Sequence, residues 1–257
     1  RAAVMTLTPV PSIFAEHRRV ARLARAAARQ RQRGDAATFL LDEIAADMVE
    51  RLSFVRLAPA RALVIGPCPS ALTDYLAQDA LTLGKAFDPA LPLAGGPYDF
   101  IGVMGQLDAV NDLPGALIHL RNALVPGGLV IASFIGGQSL PALRAAMMAA
   151  EPDRPAARLH PLVDPRAAPQ LLQRAGWKDP VVDSHILTVR YSSLDRLVAD
   201  LRDQGLTNAL ARPAAPLSKA ALARARAAFA ARADADGKTS ESFEIVTLTG
   251  RRSLAGT

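Results

Sequence analysis

Small residues and isolated polar groups stand where three apolar runs of the chain end. Gly66, Pro67 and Cys68 follow the run 62–65, and a helical pattern begins a few residues later. A strand, a glycine turn and a helix in this order form the opening at which doubly wound α/β domains hold nucleotide-like cofactors. Gly66 is the only glycine of this turn, and Pro67 and Pro69 each lack an N–H donor. The turn therefore predicts the fold more strongly than it predicts the cofactor.

The other candidate positions follow the next two apolar runs. An acid often ends such a strand and holds ribose hydroxyls, but Gly84 and Lys85 stand at that place after the run 80–83. The nearest carboxylate is Asp88, four residues beyond Gly84. Gly105 and Gln106 follow the run 98–104 and should face the crevice at the carboxyl end of that strand. We predict that one cofactor site is lined by Gly66, Pro67, Cys68, Asp88, Gly105 and Gln106.

No set of side chains in the sequence forms an obvious catalytic dyad, and each candidate also has a purely structural interpretation. Cys68 would need a basic neighbour to become a nucleophile, and none can be placed beside it. Asn111 or Asp112 is expected to cap a helix. The turn 234–237 lacks the later ligands of an EF-hand loop. No histidine and carboxylate set has metal-ligand spacing, so we predict no metal site.

Strands and helices alternate along the chain with short connections, which predicts a mostly parallel sheet covered on both faces. Strands are predicted at 62–65, 80–84, 98–104, 129–134, 180–191 and 242–249, the last of them antiparallel. Helices are predicted at 13–32, 39–54, 71–76, 111–124, 139–148, 165–175, 194–204 and 217–231. Ser139 is expected to cap its helix, and Trp177 to pack across a helix end. Residues 125–128 are expected to form a turn.

Bulk properties bound the class of protein. A chain of 257 residues that is 50% hydrophobic can bury the core of one domain with additions. It has no run of 18 apolar residues, its first residues lack a signal-peptide core, and its single cysteine cannot form an intrachain disulfide. We therefore expect a cytoplasmic protein without a transmembrane segment. We expect an N-terminal helical extension at 1–56, a main domain at 57–252 and a helical insertion at about 193–235.

The net charge is +6 and is carried mostly by arginine, with only 5% aromatic residues. Scattered aromatics give no stacking platform, so nucleic-acid binding is disfavoured. Much of the charge lies in the helix 13–32. We interpret it as a solvated helix face. The alternative is contact with an acidic partner or, peripherally, with an anionic membrane surface.

Three segments in order carry a family resemblance: Leu-Pro-Leu at 91–93, Tyr-Asp-Phe at 98–100 and Pro-Gly-Gly-Leu-Val-Ile-Ala-Ser at 126–133. They resemble the region after the glycine-rich turn in class I S-adenosylmethionine (SAM) methyltransferases. Five further segments resemble the BioC-like branch, and within it the methyltransferase-like assembly factor of mitochondrial complex I and its alphaproteobacterial relatives. Those segments are 110–117, 134–140, 173–177, 187–191 and 201–208. The resemblance covers the chain from about Ile13 to Arg252.

The resemblance implies an α/β, Rossmann-like fold with a seven-stranded sheet in the order 3-2-1-4-5-7-6. It also implies SAM at the carboxyl ends of the family's first, second and fourth strands. Gly66 matches the first glycine of the family's turn, whose remaining pattern is replaced by residues 67–70. Phe87 and Asp88 stand where an adenine-side acid is usual, and Leu107-Asp108-Ala109 replaces the family's Leu-His-Trp.

Two functions follow from the resemblance. One is a SAM-dependent methyltransferase acting on a small-molecule or protein acceptor, since methyl transfer relies on positioning more than on acid–base groups. The other is a non-catalytic or arginine-hydroxylating assembly factor that binds a protein client.

Overall fold

The computed structural model describes residues 12–78, 81–84, 87–153 and 155–254. Its centre is a six-stranded sheet in the order β2-β1-β3-β4-β6-β5. The strands are β1 (Ala62–Ile65), β2 (Leu81–Gly84), β3 (Tyr98–Met104), β4 (Leu124–Ile135), β5 (Lys178–Tyr191) and β6 (Thr239–Arg251). The helices are α1 (Glu16–Gln32), α2 (Phe39–Phe54), α3 (Ser70–Tyr75), α4 (Leu113–Asn122), α5 (Pro141–Ala150), α6 (Ala168–Arg174), α7 (Leu194–Asp203) and α8 (Lys219–Ala230).

The first four strands are parallel, and β6 lies antiparallel between β4 and β5. Alternate residues of each strand enter two separate cores because side chains of a strand point to opposite faces. Val64, Phe100 and Ile131 pack with α2, α5, α7 and α8 on one face. Leu63 and Ile101 pack with α4 and α6 on the other. The predicted Rossmann-like methyltransferase architecture is confirmed.

The expected seventh strand is not found among the described residues, which is a correction to the strand count. The missing strand would lie outside β2, at the sheet edge that β2 now forms. A further parallel strand needs a crossover of a dozen or more residues on each side of it. Residues 85–97 are too few for that, and the described part of this connection, 87–97, contains no helix.

Two local predictions at the ends of β4 need correction. Strand β4 begins at Leu124, so residues 125–128 lie inside it and do not form the expected turn. They form an irregularity in its pairing with β3, because Tyr98 pairs with Leu124 but Phe100 pairs with Leu129. Ser139 does not cap α5; its hydroxyl hydrogen-bonds the backbone of Glu244 instead. The buried carboxylate of Glu241 accepts the N–H groups of Ala142 and Leu143 in its place.

Two other local predictions are confirmed. Asp112 caps α4, with its Oδ1 accepting the N–H of Gly115 at 2.9 Å. Trp177 is buried beyond the end of α6, and its Nε1 donates to the Leu117 carbonyl at 3.0 Å. None of the helices in the described residues combines the length and hydropathy needed to cross a membrane.

The packing of Trp177 on β6 gives a stability prediction. A Cβ at Gly250 would collide with the Trp177 ring, so Gly250→Ala should lower the free energy of unfolding by about 1–3 kcal/mol through overpacking. Gly34→Ala is the matched control because nothing lies within 4 Å of its added Cβ, and it should change stability by less than about 0.5 kcal/mol. Urea unfolding measures both. Equal stabilities for the two variants would contradict this packing.

Candidate functional site

A cavity of about 750 Å³ opens at the carboxyl ends of β1, β2 and β3, under α1. We call it the crevice cavity. Ile65, Gly66 and Pro67 form the β1 side of its wall, and Leu83 comes from β2. This is the position at which open α/β sheets hold ligands. The two prolines of the turn therefore do not fill the hollow.

The six predicted site residues divide into two groups. Gly66, Pro67, Asp88 and Gln106 line the crevice cavity. Cys68 and Gly105 are not among its lining residues. Cys68 packs against the core under α2, and burial raises the pKa of its thiol to about 11. The Gly105 N–H donates to the Ser133 carbonyl, which ties the end of β3 to β4.

The packing around residue 66 requires a glycine at this position of the cavity wall. Its φ is +106°, and a Cβ there would collide with the Met104 carbonyl oxygen. The turn after β1 therefore needs a glycine simply to pass the end of β3. A glycine here accounts for the local packing, whether or not a ligand is bound.

Two polar side chains of the wall retain free hydrogen-bonding atoms. Gln106 is 6% exposed, and its amide has no hydrogen bond to any described residue. Asp88 is exposed and accepts the Ala90 N–H through Oδ1, which leaves Oδ2 without a partner in the described chain. Most of the remaining wall is apolar, from Leu23, Leu41 and Phe87 among others. Such a wall, with a few polar groups, is typical of small-molecule sites.

Helix α1 closes the crevice cavity from above and is held by its arginines. Arg19 is buried, donates to the Phe87 carbonyl and pairs with Glu16. Arg29 pairs with Asp203, whose side chain is fully buried. The interpretation of this basic helix as a solvated face is therefore wrong for these arginines, because they contact the body of the protein.

The most deeply buried of these contacts joins Arg22 to Asp108. Both Asp108 oxygens accept from Arg22 Nη2, at 2.6 and 2.8 Å, and both side chains are at most 2% exposed. Burial alone would raise the pKa of Asp108, but the charge of Arg22 and the neighbouring His160 lower it overall. Asp108 is therefore a carboxylate at neutral pH. It occupies the position that carries histidine in the family's Leu-His-Trp pattern.

A second cavity, of about 460 Å³, lies beyond Asp108 among α5, α7 and α8. We call it the helical cavity. Gln106 lines the crevice cavity and Asp108 lines the helical cavity, so the chain following β3 separates the two. His160 also lines the helical cavity and is 6% exposed, with Nε2 3.4 Å from Asp108 Oδ2. Within the described residues, no group of His, Cys, Asp or Glu could hold a metal ion.

Arg22, Asp108 and His160 were not predicted as site residues. Their partners are far apart in sequence: Arg22 and Asp108 are 86 residues apart. One signal did exist, since Asp108 was recognised as a departure from the family's pattern directly after β3.

The fold matches known structures over most of the chain. The YcgJ protein from Bacillus subtilis aligns with a TM-score of 0.51 and 11% identity, covering 83% of this chain and all of that one. The sheet order and this match define a class I methyltransferase-like fold. A comparison with models of known protein families finds no match.

The chain is similar in sequence to two kinds of protein. Malonyl-(acyl-carrier protein) O-methyltransferase of Gallionella capsiferriformans is 27% identical over 82% of this chain and 83% of its own length. Mouse mitochondrial arginine-hydroxylase NDUFAF5 is 29% identical over 70% of this chain and 54% of its own length. Matches to four such O-methyltransferases span 55% to 83% of their lengths. The chain is therefore similar in sequence to both kinds of protein and has a class I methyltransferase-like fold.

The lowered pKa of Asp108 gives a prediction for stability against pH. The folded pKa lies below the unfolded one, so the carboxylate stabilises the fold above about pH 4 and this contribution is lost as the pH falls further. Asp108→Asn leaves Arg22 as an uncompensated buried charge and should cost about 3–5 kcal/mol at pH 7. The difference in unfolding free energy between Asp108→Asn and the unsubstituted protein should become smaller below pH 4.

Urea unfolding at pH 7 and at pH 3 measures this difference. The exposed Asp153 provides the control, since Asp153→Asn should stay within about 0.5 kcal/mol at both pH values. A difference for Asp108→Asn that stays constant with pH would show that its charge does not stabilise the fold.

The raised pKa of Cys68 predicts an unreactive thiol. A pKa near 11, against an ordinary 9.0, reduces the thiolate fraction at pH 8 by about a hundredfold. Reaction with a thiol-specific disulfide reagent should be slower than in the urea-unfolded chain, by up to about that factor, because the higher nucleophilicity of a high-pKa thiolate offsets part of the loss. A native rate equal to the unfolded rate would exclude this burial of the thiol.

Proposed function

We propose that the chain is a SAM-dependent methyltransferase that holds its methyl donor in the crevice cavity. The observation that carries the proposal is the open cavity at the carboxyl ends of β1 to β3, with the Gln106 amide free on its wall. SAM supplies an electrophilic methyl group bonded to a sulfonium. The relatives named as O-methyltransferases support the same reaction type.

The residues that face this cavity suit a molecule with an apolar ring and polar edges. Leu83, Phe87 and Leu23 offer apolar surface, and the Gln106 amide and Asp88 carboxylate offer hydrogen bonds. Donor binding would also exclude water from the wall beneath α1. We keep Gly66 and Pro67 as proposed contacts of the donor. Cys68 and Gly105 remain predictions that no cavity contact supports.

The absence of an acid at the end of β2, a departure from the family's pattern, lowers the affinity that we expect for SAM. No carboxylate ends β2 in the described residues, where Leu83 precedes Gly84, and Lys85 lies outside the described part of the chain. A lost charge-assisted hydrogen bond is worth about 1.5–3 kcal/mol, which is roughly ten- to a hundredfold in affinity. We therefore expect donor binding that is weaker than in methyltransferases with that acid.

The proposal also includes the class of methyl acceptor, the location and the domain division expected from the sequence. The acceptor is a small molecule or a protein, nucleic acid is disfavoured, and the expected location is cytoplasmic. We also retain the division into an extension at 1–56 and a main domain at 57–252, with α7 and α8 in the insertion at about 193–235.

A second function is favoured by a specific similarity. NDUFAF5 of mouse, named an arginine hydroxylase, matches this chain as well as some of the O-methyltransferases do. On this alternative the chain acts on or binds a protein client, and the missing acid of β2 reflects a changed use of the cavity. The two functions differ in whether SAM binds and donates its methyl group.

Calorimetric titration with SAM tests the proposal. The purified chain should bind SAM one to one, and Gln106→Leu should weaken binding roughly 3- to 10-fold because it removes a hydrogen bond and little volume. Gln173→Leu, an exposed position on α6, should leave binding unchanged. Absence of heat with SAM at millimolar concentration would reject the methyltransferase proposal in favour of the client-binding alternative.

A further inference from the structure

The helical cavity has apolar walls and one polar end. Its walls come mainly from leucine and other aliphatic side chains, such as Leu143 of α5, Val198 of α7 and Leu222 of α8. A volume of about 460 Å³ falls in the range of sites for small organic molecules. An apolar molecule therefore fits the body of this cavity.

Three charged residues of the cavity wall are paired with charged residues outside it. Asp108 is held by Arg22, and Arg158 is paired with Glu151. Asp195 pairs with Arg226 at the exposed rim. Among the described lining residues only Asp108 and His160 are both polar and buried. Nε2 of His160 has only its 3.4 Å contact with Asp108, and Nδ1 bonds to no described residue. His160 is thus the buried group left to meet a ligand.

The surroundings of His160 select what its ring can bind. Phe14 packs edge-on against it, with ring centroids 5.5 Å apart, and Nε2 faces the Asp108 carboxylate at 3.4 Å. A carboxylate on this side favours the tautomer with the proton on Nε2, which leaves a lone pair on Nδ1. Nδ1 then accepts a hydrogen bond and cannot donate one.

A neutral hydroxyl is the donor that fits best. A ligand carboxylate at His160 would lie near the like-charged Asp108 carboxylate, and the Arg22 guanidinium beside it is already bound by both Asp108 oxygens. A ligand ammonium would lose its hydration in an apolar cavity, which is costly. A hydroxyl carries no charge and supplies the one proton that Nδ1 needs.

We propose that the helical cavity binds an apolar molecule carrying a hydroxyl group, whose proton is donated to His160 Nδ1. This inference goes beyond the proposed function and does not rest on it. Asp108 and Arg22 act as positioning residues that orient the imidazole.

The test uses 2-naphthol and naphthalene, which differ only in the hydroxyl, in fluorescence titrations of the full chain without SAM. The unsubstituted protein should bind 2-naphthol roughly 3- to 10-fold more tightly than naphthalene, the effect of one hydrogen bond. His160→Phe keeps a ring against Phe14 and should bind both probes equally. His119→Phe, on α4 and away from the cavity, should keep the preference. Val198→Trp should bind neither probe, since it fills the cavity.

A second measurement tests the proposal without a variant at His160. In the unsubstituted protein, 2-naphthol should shift the Nδ1 nitrogen resonance of one histidine of the four, and naphthalene should leave it in place. Equal affinity for the two probes, tighter binding of 2-naphthoate than of 2-naphthol, or unchanged binding in Val198→Trp would overturn the inference. SAM titration of the same preparations separates the proposals, because loss of the naphthol preference with intact SAM binding refutes only this one.

Discussion

The buried pair of Arg22 and Asp108 is the interaction on which the arrangement of both cavities depends. Two charges taken out of water need good geometry and further hydrogen bonds to offset their desolvation. Arg22 Nη2 meets the two carboxylate oxygens and its Nη1 donates to the Thr207 carbonyl, while its buried Nε has no partner among the described residues. One guanidinium thereby joins α1, the chain after β3 and the connection between α7 and α8. We infer that the pair matters here because it fixes the relative positions of these three segments, more than because it adds net free energy of folding.

Around this pair the N-terminal segment is attached at several points. Asn111 bonds the backbone at Ile13 and Phe14, Ala15 donates to the Ala209 carbonyl, and Arg29 pairs with Asp203. Arg19, Arg22 and Arg29 of α1 therefore serve as packing residues, with their charged ends bonded to the body of the protein. The crevice cavity is covered on one side because α1 lies over the sheet edge.

The parts of the structure that depend on local sequence could be predicted, and those that depend on distant contacts could not. β1 and β3 were predicted from short apolar runs, and the Asp112 cap from residue type and spacing. The burial of Arg22 could not be predicted, since an arginine on an amphipathic helix looks solvated until its partner is known. His160 lies outside the helices and strands, where periodicity carries no information. The strand count failed because the family's pattern was assumed for a connection that is too short.

That short connection also determines how the crevice cavity is built. With no helix in residues 87–97, the wall opposite the sheet is supplied by α1, through small and apolar residues such as Leu23, Ala24 and Ala27. On the sheet side of this cavity, the polar groups are the Gln106 amide and the Asp88 carboxylate. Because Asp108 both lines the helical cavity and holds α1 in place, a change in its charge or position acts on both cavities. One carboxylate thus belongs to the wall of one cavity and anchors the helix that covers the other.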